Sequence, residues 1–286
     1  MKTNVTQTAA GLENNCKRNH AFTLTELLVV LATLAILAAV VLPALAKSGD
    51  NSARMVCLNN LRQMGTAQNL YAGENQDYLA WPNWGNDGPP CPPGWAYAGI
   101  CDGLPVVSPP LFSVEFAYWP QNQVVHLKGG VFWQYVLNGN TFLCPNDLKP
   151  TSSTSSLWTK RTFTLSTYIM NGSACFFAGC GSGNVAQFNY RTCKASQIWS
   201  PSCIILWEPD QTIDVNCYND GANYPGPDAI CGISTMEGLG NLHGTGGNVL
   251  TVSGSAQCMT VAAYTNEASM PAKNRLFWNP LTGNGR

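Results

Sequence analysis

The sequence predicts an α+β chain in which a long helical stretch comes first and short strands follow. Three observations carry this reading. Twenty residues without a charge, Leu27–Ala46, lie near the N-terminus; apolar positions spaced three and four apart continue to residue 72; and strand-like runs, ending in a hairpin, lie between residues 163 and 262.

Residues 1–20 are polar and slightly basic, with Lys2, Lys17 and Arg18 against Glu13. At ~1.5 Å per residue, the twenty uncharged residues that follow span roughly 30 Å, the thickness of a bilayer's hydrocarbon core. The run is apolar on every face, unlike the one-sided stripe of a surface helix. Lys17 and Arg18 directly before it predict a cytoplasmic N-terminus, with everything after residue 46 outside. A secretory signal peptide has an apolar core of only about 7–15 residues, although Ala44-Leu45-Ala46 resembles its cleavage site. A plain anchor leaves Glu26 unexplained, because an ionisable group in an apolar span costs a few kcal/mol unless it meets a partner.

Beyond Pro43 the helix is expected to continue to about residue 72. Ala53, Cys57, Leu61, Met64, Gln68 and Tyr71 fall on one face, while Asn59, Asn60 and Gln63 populate others. Gly65 weakens this pattern without ending it. Residues 81–110 break all periodicity with eight prolines and interspersed glycines, and read as a loop that Cys91 and Cys101 can close. Residues 131–137 suit a short helix or a strand, and Phe142-Leu143-Cys144-Pro145 reads as a strand end. Thr151–Ser156 is a Ser/Thr-rich loop. Phe163–Met170 and Cys203–Trp207 are strand candidates, the second a continuous buried run. Asn248–Val252 and Ser255–Ala262 flank a two-residue turn, Ser253-Gly254, as a hairpin.

Only 11% of the 286 residues are charged and the net charge is -1. An ordinary soluble domain carries about 25%. This balance excludes a nucleic-acid binder working through a basic surface. Twelve cysteines argue against a reducing cytosol. None are spaced C-x2-C, so disulfides are the better reading, and local loops fit Cys91–Cys101, Cys175–Cys180 and Cys217–Cys231. Cys193, Cys203 and Cys258 compete for other pairings. Glu208, Asp210, Asp214, Asp220 and Asp228 cluster among turn residues and read as solvated loop acids. Asp210, Asp214 and Asp220 are the calcium candidates among them, though the spacing matches no EF-hand. His126 lies in an apolar strand-like run. His243 precedes Gly244-Thr245-Gly246-Gly247 and reads as a structural histidine ahead of the hairpin. A catalytic histidine needs a positioned nucleophile; no catalytic constellation is evident and no cofactor beyond calcium is expected. Trp81, Trp84, Trp95 and Trp119 suit either hydrophobic clusters under loops or a sugar-stacking surface.

Ala21-Phe22-Thr23-Leu24-Thr25-Glu26-Leu27-Leu28-Val29-Val30 resembles the prepilin cleavage and methylation signature of type IV pilins and type II secretion pseudopilins. The resemblance places the cut between Ala21 and Phe22, with N-methylation of Phe22 and Glu26 as the fifth mature residue. The family usually has Gly where Ala21 stands, which predicts slower cleavage. Pro43 matches a proline of the family's anchor helix. The stretch Cys57–Gly65 is similar to a segment of large pilin-like proteins with a C-terminal H-x9-DG motif. Here His243 and Ser253-Gly254 hold that spacing, with Ser in place of the acidic residue. The resemblance is strong over residues 17–72, patchy through the middle and moderate over 241–258.

The resemblance implies a long helix packed on an antiparallel sheet with disulfide-tied loops, and a Cys57–Cys144 bond stapling helix to sheet. It implies a leader at 1–21, a transmembrane helix at 22–46, an amphipathic continuation at 47–72 and an extracytoplasmic head at 73–286. Inside a packed helix bundle the Glu26 carboxylate would pair with the ammonium of a neighbouring Phe22 and set the stagger between subunits. Loss of the leader would take the net charge from -1 to -3, since it holds three of the basic residues and one acidic one. The implied function is a pseudopilin or minor pilin without an enzymatic reaction, in a bacterial inner membrane with a periplasmic or extracellular head. Its implied partners are other pilin-like subunits, a prepilin peptidase/methyltransferase and an inner-membrane assembly platform. A surface or tip adhesin, binding polysaccharide or a secreted substrate through its aromatic loops, is the alternative.

Overall fold

The computed structural model describes residues 23–84, 93–97, 126–147, 161, 165–176, 191–209, 220–226 and 237–286, with the backbone alone at 43–50. Expectations placed on Ala21, Phe22, Cys91, Cys101, Trp119, Cys180, Asp210, Asp214, Cys217 and Cys231 lie outside these residues. The chain divides into two units, Met1–Lys47 and Ser48–Arg286.

Helix α1, Leu24–Glu74, contributes to both. In the first unit its stretch Leu24–Leu42 is long and apolar enough to cross a membrane, and every residue of it is solvent-exposed in the isolated chain. Such a surface, apolar on all sides, matches a lipid environment rather than water. The helix continues through position 43, so Pro43 does not end it.

In the second unit the predicted face is buried: Ala53, Cys57, Leu61, Met64 and Gln68 are all inside, and Tyr71 is half-buried. Asn60, expected on another face, is buried too. Its amide donates to the carbonyls of Leu143 (3.0 Å) and Asn140 (3.3 Å), which satisfies the polar group away from water. The last turn closes on Asp77, whose N–H reaches Ala72 O at 2.8 Å.

Five short strands form one sheet: β1 (Ile169–Asn171), β2 (Ile204–Trp207), β3 (Ala222–Asn223), β4 (Gly246–Thr251) and β5 (Ala256–Thr260), in the order β3-β1-β2-β4-β5. The sheet is mixed, not purely antiparallel as expected. β1 and β3 run parallel while the other neighbours are antiparallel. β3 runs opposite to β2, and β2 opposite to β1, so β3 and β1 point the same way.

Both sheet faces are covered, which explains the continuous burial of β2 and β4. Ile205, Leu206 and Leu250 join Cys57, Leu61 and Met64 of α1 in one core cluster. Ile204, Trp207 and Val249 join Tyr264, Leu276 and Phe277 in a second. A register shift between Ile204 and Leu206 places these neighbours on their faces. Tyr264 belongs to helix α3, Val261–Ala268, which starts where Thr260 Oγ1 accepts from Ala263 N at 3.2 Å. That cap ends β5 two residues before the expected limit.

Local hydrogen bonding accounts for the other differences. β1 begins only at Ile169, because Ser166 and Thr167 bond to Phe142 O instead of a neighbouring strand. The hairpin loop holds three residues rather than two. Gly254 N donates to Thr251 O (2.9 Å), and Gly254 takes φ 83°, the left-handed residue of this loop type. Residues 133–136 form a short helix, α2 (Trp133–Val136), and residues 126–129, including His126, are helical rather than extended. A single 3-10 turn, Gly139–Phe142, stands where a strand end was expected.

Gly65 marks the closest approach of α1 to this hairpin: a Cβ there would lie 2.9 Å from Gly254 Cα and 3.0 Å from Leu250 Cδ1. An alanine gains about 1 kcal/mol of helix propensity, but backbone on the far side cannot retreat as a flexible side chain can. Overpacking costs about 1–3 kcal/mol, so Gly65→Ala is expected to lower stability despite its propensity. Denaturant unfolding of the full chain in detergent checks the sign; an increase would show that the hairpin yields.

Candidate functional site

Two groups of polar residues stand out among the described residues, one at each unit. The first opens α1. Thr23 Oγ1 accepts from Glu26 N (3.3 Å), while Glu26 Oε2 accepts from Thr23 N (2.9 Å) and Thr23 Oγ1 (2.7 Å). This is a reciprocal capping box, which satisfies N–H groups that the first turn of a helix leaves unpaired. The sequence reading missed this role of Glu26, beyond the intersubunit pairing expected of it; the Thr-x-x-Glu spacing is the signal that marks such a helix start. Among the described residues, the Glu26 carboxylate is engaged by Thr23.

The second group is buried in the head unit. Ligand-type atoms of Cys57, Cys144, Glu208 and His243 all lie within 4.8 Å of one another, and all four residues are buried. Four separate pieces of backbone deliver them. Cys57 sits on the buried face of α1. Cys144 follows the 3-10 turn, its N–H donating to Thr167 Oγ1 at 2.8 Å. Glu208 follows the last residue of β2. His243 precedes β4 in a tight loop closed by its N–H to Gly246 O at 3.1 Å.

The surroundings orient these groups. Glu208 Oε2 accepts from the backbone N–H of Asn248 (2.8 Å), and Oε1 from its side-chain amide (3.3 Å). His243 Nε2 lies 3.3 Å from Glu208 Oε1 and 3.6 Å from Cys144 Sγ. Its Nδ1 faces the Asn146 amide at 3.3 Å. Arg54 donates to the His243 carbonyl. The Tyr168 hydroxyl is buried beside Cys57 with no partner of hydrogen-bond geometry among the described residues.

The electrostatics follow from this packing. A hydrogen bond to Cys144 raises the Cys57 thiol far above its usual range, with burial adding to the effect. The same bond, read from the other side, lowers Cys144 despite burial, with help from His243. Burial opposes the charged imidazole of His243, but bonds to Cys144 and Glu208 and the charge of Glu208 outweigh it and raise its pKa to about 9. Burial above all, then the charges nearby, pushes the Tyr168 hydroxyl well up.

These positions correct several expectations. Cys57 and Cys144 meet, as the resemblance implied, but as free thiols rather than a disulfide; each sulfur shares its space with the other and with His243 and Glu208. Cys175 directs its Sγ to Gly172 O at 3.3 Å, inside its own turn. Cys193 and Cys203 are buried free thiols, and Cys258 is exposed. Among the described residues, Cys57, Cys144, Cys193, Cys203 and Cys258 tie no loop through a disulfide. Glu208 is a fully buried carboxylate, not a solvated loop acid. Asp220, the calcium candidate within the described residues, is buried and caps its own turn through Ala222 N (2.9 Å). Trp81 and Trp95 are buried, and Trp84 is half-buried.

Spacing did not reveal the four-residue cluster, because 86, 63 and 34 positions separate its members in order along the chain. No curated protein and no solved structure matches the chain. Residues 16–42, the segment that contains both the capping box and the exposed apolar start of α1, match the family model of the prokaryotic N-terminal methylation motif, the signature of type IV pilin-like and pseudopilin proteins.

Proposed function

We propose that this protein is a structural subunit, a pseudopilin or minor pilin, that joins a type II secretion or type IV pilus-like filament through α1. The observation that carries the reading is the methylation motif at 16–42, set on a helix apolar enough to cross a membrane. In this reading a peptidase cuts between Ala21 and Phe22 and methylates Phe22. The head stays outside the cytoplasm, the assembly platform extracts the helix, and the protein carries no reaction of its own. Burial of Trp81 and Trp95 favours this role over a glycan-binding tip, whose stacking rings need exposure.

Glu26 has two separable duties in this proposal: capping its own helix, and pairing with the ammonium of a neighbouring Phe22. Gln is an accepted capping-box residue, so Glu26→Gln keeps the cap and removes the charge. In cells carrying the matching assembly machinery, Glu26→Gln and Glu26→Ala are both expected to be cut normally and to fail filament incorporation. Incorporation of Glu26→Gln at the wild-type level would reduce Glu26 to a helix cap. N-terminal mass analysis of the membrane-extracted protein should show a methylated Phe22. An intact residue 1, or a cut after Ala46, would overturn the proposal.

A further inference from the structure

We infer that Cys57, Cys144, Glu208 and His243 form a closed binding site for a thiophilic divalent cation of the zinc class, which ties α1 to the sheet. Two sulfurs, an imidazole nitrogen and a carboxylate oxygen make a donor set suited to zinc. Calcium and magnesium instead take oxygen ligands. Four protein donors leave no open position, the pattern of a structural rather than a catalytic site.

The geometry supports coordination over pairwise bonding. With metal bonds of about 2.0–2.1 Å to N and O and about 2.3 Å to S, a tetrahedron has edges of roughly 3.3 Å for N–O and roughly 3.5 Å for N–S. The observed separations are 3.3 Å for His243 Nε2 to Glu208 Oε1 and 3.6 Å for His243 Nε2 to Cys144 Sγ. A charge-assisted imidazole–carboxylate bond would be shorter, about 2.7–2.9 Å. Since all donors already lie within 4.8 Å of one another, a sulfur–sulfur or sulfur–oxygen pair need close by no more than about 1.3 Å.

The residues around the site have the roles a metal requires. The Asn248 backbone and side chain hold both oxygens of Glu208. The unpartnered Tyr168 hydroxyl beside Cys57 gains a strong acceptor once that sulfur is a thiolate. Two thiolates, one carboxylate and a divalent cation sum to a single negative charge, and the Arg54 guanidinium on the His243 carbonyl offsets it. Binding releases to solvent both thiol protons and the proton on Nε2, whose lone pair then meets the metal. A cavity of about 110 Å³, lined by Arg54, His243, Gly246 and Cys258 among others, borders His243 and offers an approach. The inference stands independently of filament assembly.

The test uses the full-length chain, extracted in detergent without reductant. Elemental analysis is expected to find roughly one zinc per chain. Cys57 and Cys144 should resist alkylation until a chelator is added, and then react as free thiols. Cobalt substituted for zinc should show thiolate-to-metal charge transfer and the intense visible bands of a four-coordinate ion. Cys144→Ser should weaken the charge-transfer band, and His243→Ala should abolish tight binding. Asn248→Leu, which removes the amide that positions Glu208, should weaken affinity about 10–100-fold. A Cys57–Cys144 disulfide in the extracted protein overturns the inference, as do two unprotected thiols without metal, or metal retained undiminished by Cys144→Ser and His243→Ala. Should a variant fail to fold, thiol protection in the wild-type chain still decides the matter.

Discussion

Replacing Arg161 with Met is expected to destabilise the head by about 3–5 kcal/mol, the usual cost of stranding one member of a buried ion pair. Arg161 and Asp147 are both buried, and the guanidinium meets the carboxylate with two nitrogens, Nη1 lying 2.8 Å from Oδ2. Thr167 Oγ1 donates to the same oxygen at 2.8 Å and accepts from Cys144 N at 2.8 Å. The pair therefore supports the segment that presents Cys144, and the loss is expected to loosen that cysteine as well. The double variant Arg161→Met/Asp147→Leu should recover most of the stability, because the desolvated charge is gone from both sides. Denaturant unfolding of the wild type, both single variants and the double variant measures the coupling. Additive losses would show that the two side chains act separately.

Trp95→Ala is expected to cost about 3–5 kcal/mol, as for a large aromatic removed from a packed core. The indole is fully buried, packs edge-on against Phe132 at 5.7 Å and stacks on Phe142 at 6.2 Å. Its N–H donates to Gly221 O at 2.9 Å. Trp95→Phe keeps much of the area and loses the bond, for about 1 kcal/mol. Thermal unfolding of the full chain distinguishes this role from a recognition surface. A glycan-stacking tryptophan would leave the midpoint unchanged on replacement by alanine, and that result would return the adhesin reading to consideration.

What the residues disclosed and what they concealed divides along the range of the interactions. The amphipathic face of α1 from Ala53 to Tyr71 was readable because a helix repeats every 3.6 residues and only one face can meet the core. The run Cys203–Trp207 was readable as a buried strand because it is apolar throughout, and Ile204–Trp207 of it forms β2. Strand limits were less legible. Side chains such as Ser166 and Thr260 competed with the ladder, and their choice depends on partners far along the chain or on the turn that follows. Gly65 looked like a flaw in a helix until its neighbour across the gap, Gly254, was placed.

The sequence by itself determined the anchor helix, because uncharged length, flanking charge and the Phe-Glu pattern are all local. Only the tertiary structure decided the chemistry of the head. Cys57, Cys144, Glu208 and His243 come from a helix, a turn, a strand end and a loop, and no spacing rule joins four residues spread across the chain. Packing α1 against the sheet brings two thiols, an imidazole and a carboxylate into one buried volume, where each changes what the others can do.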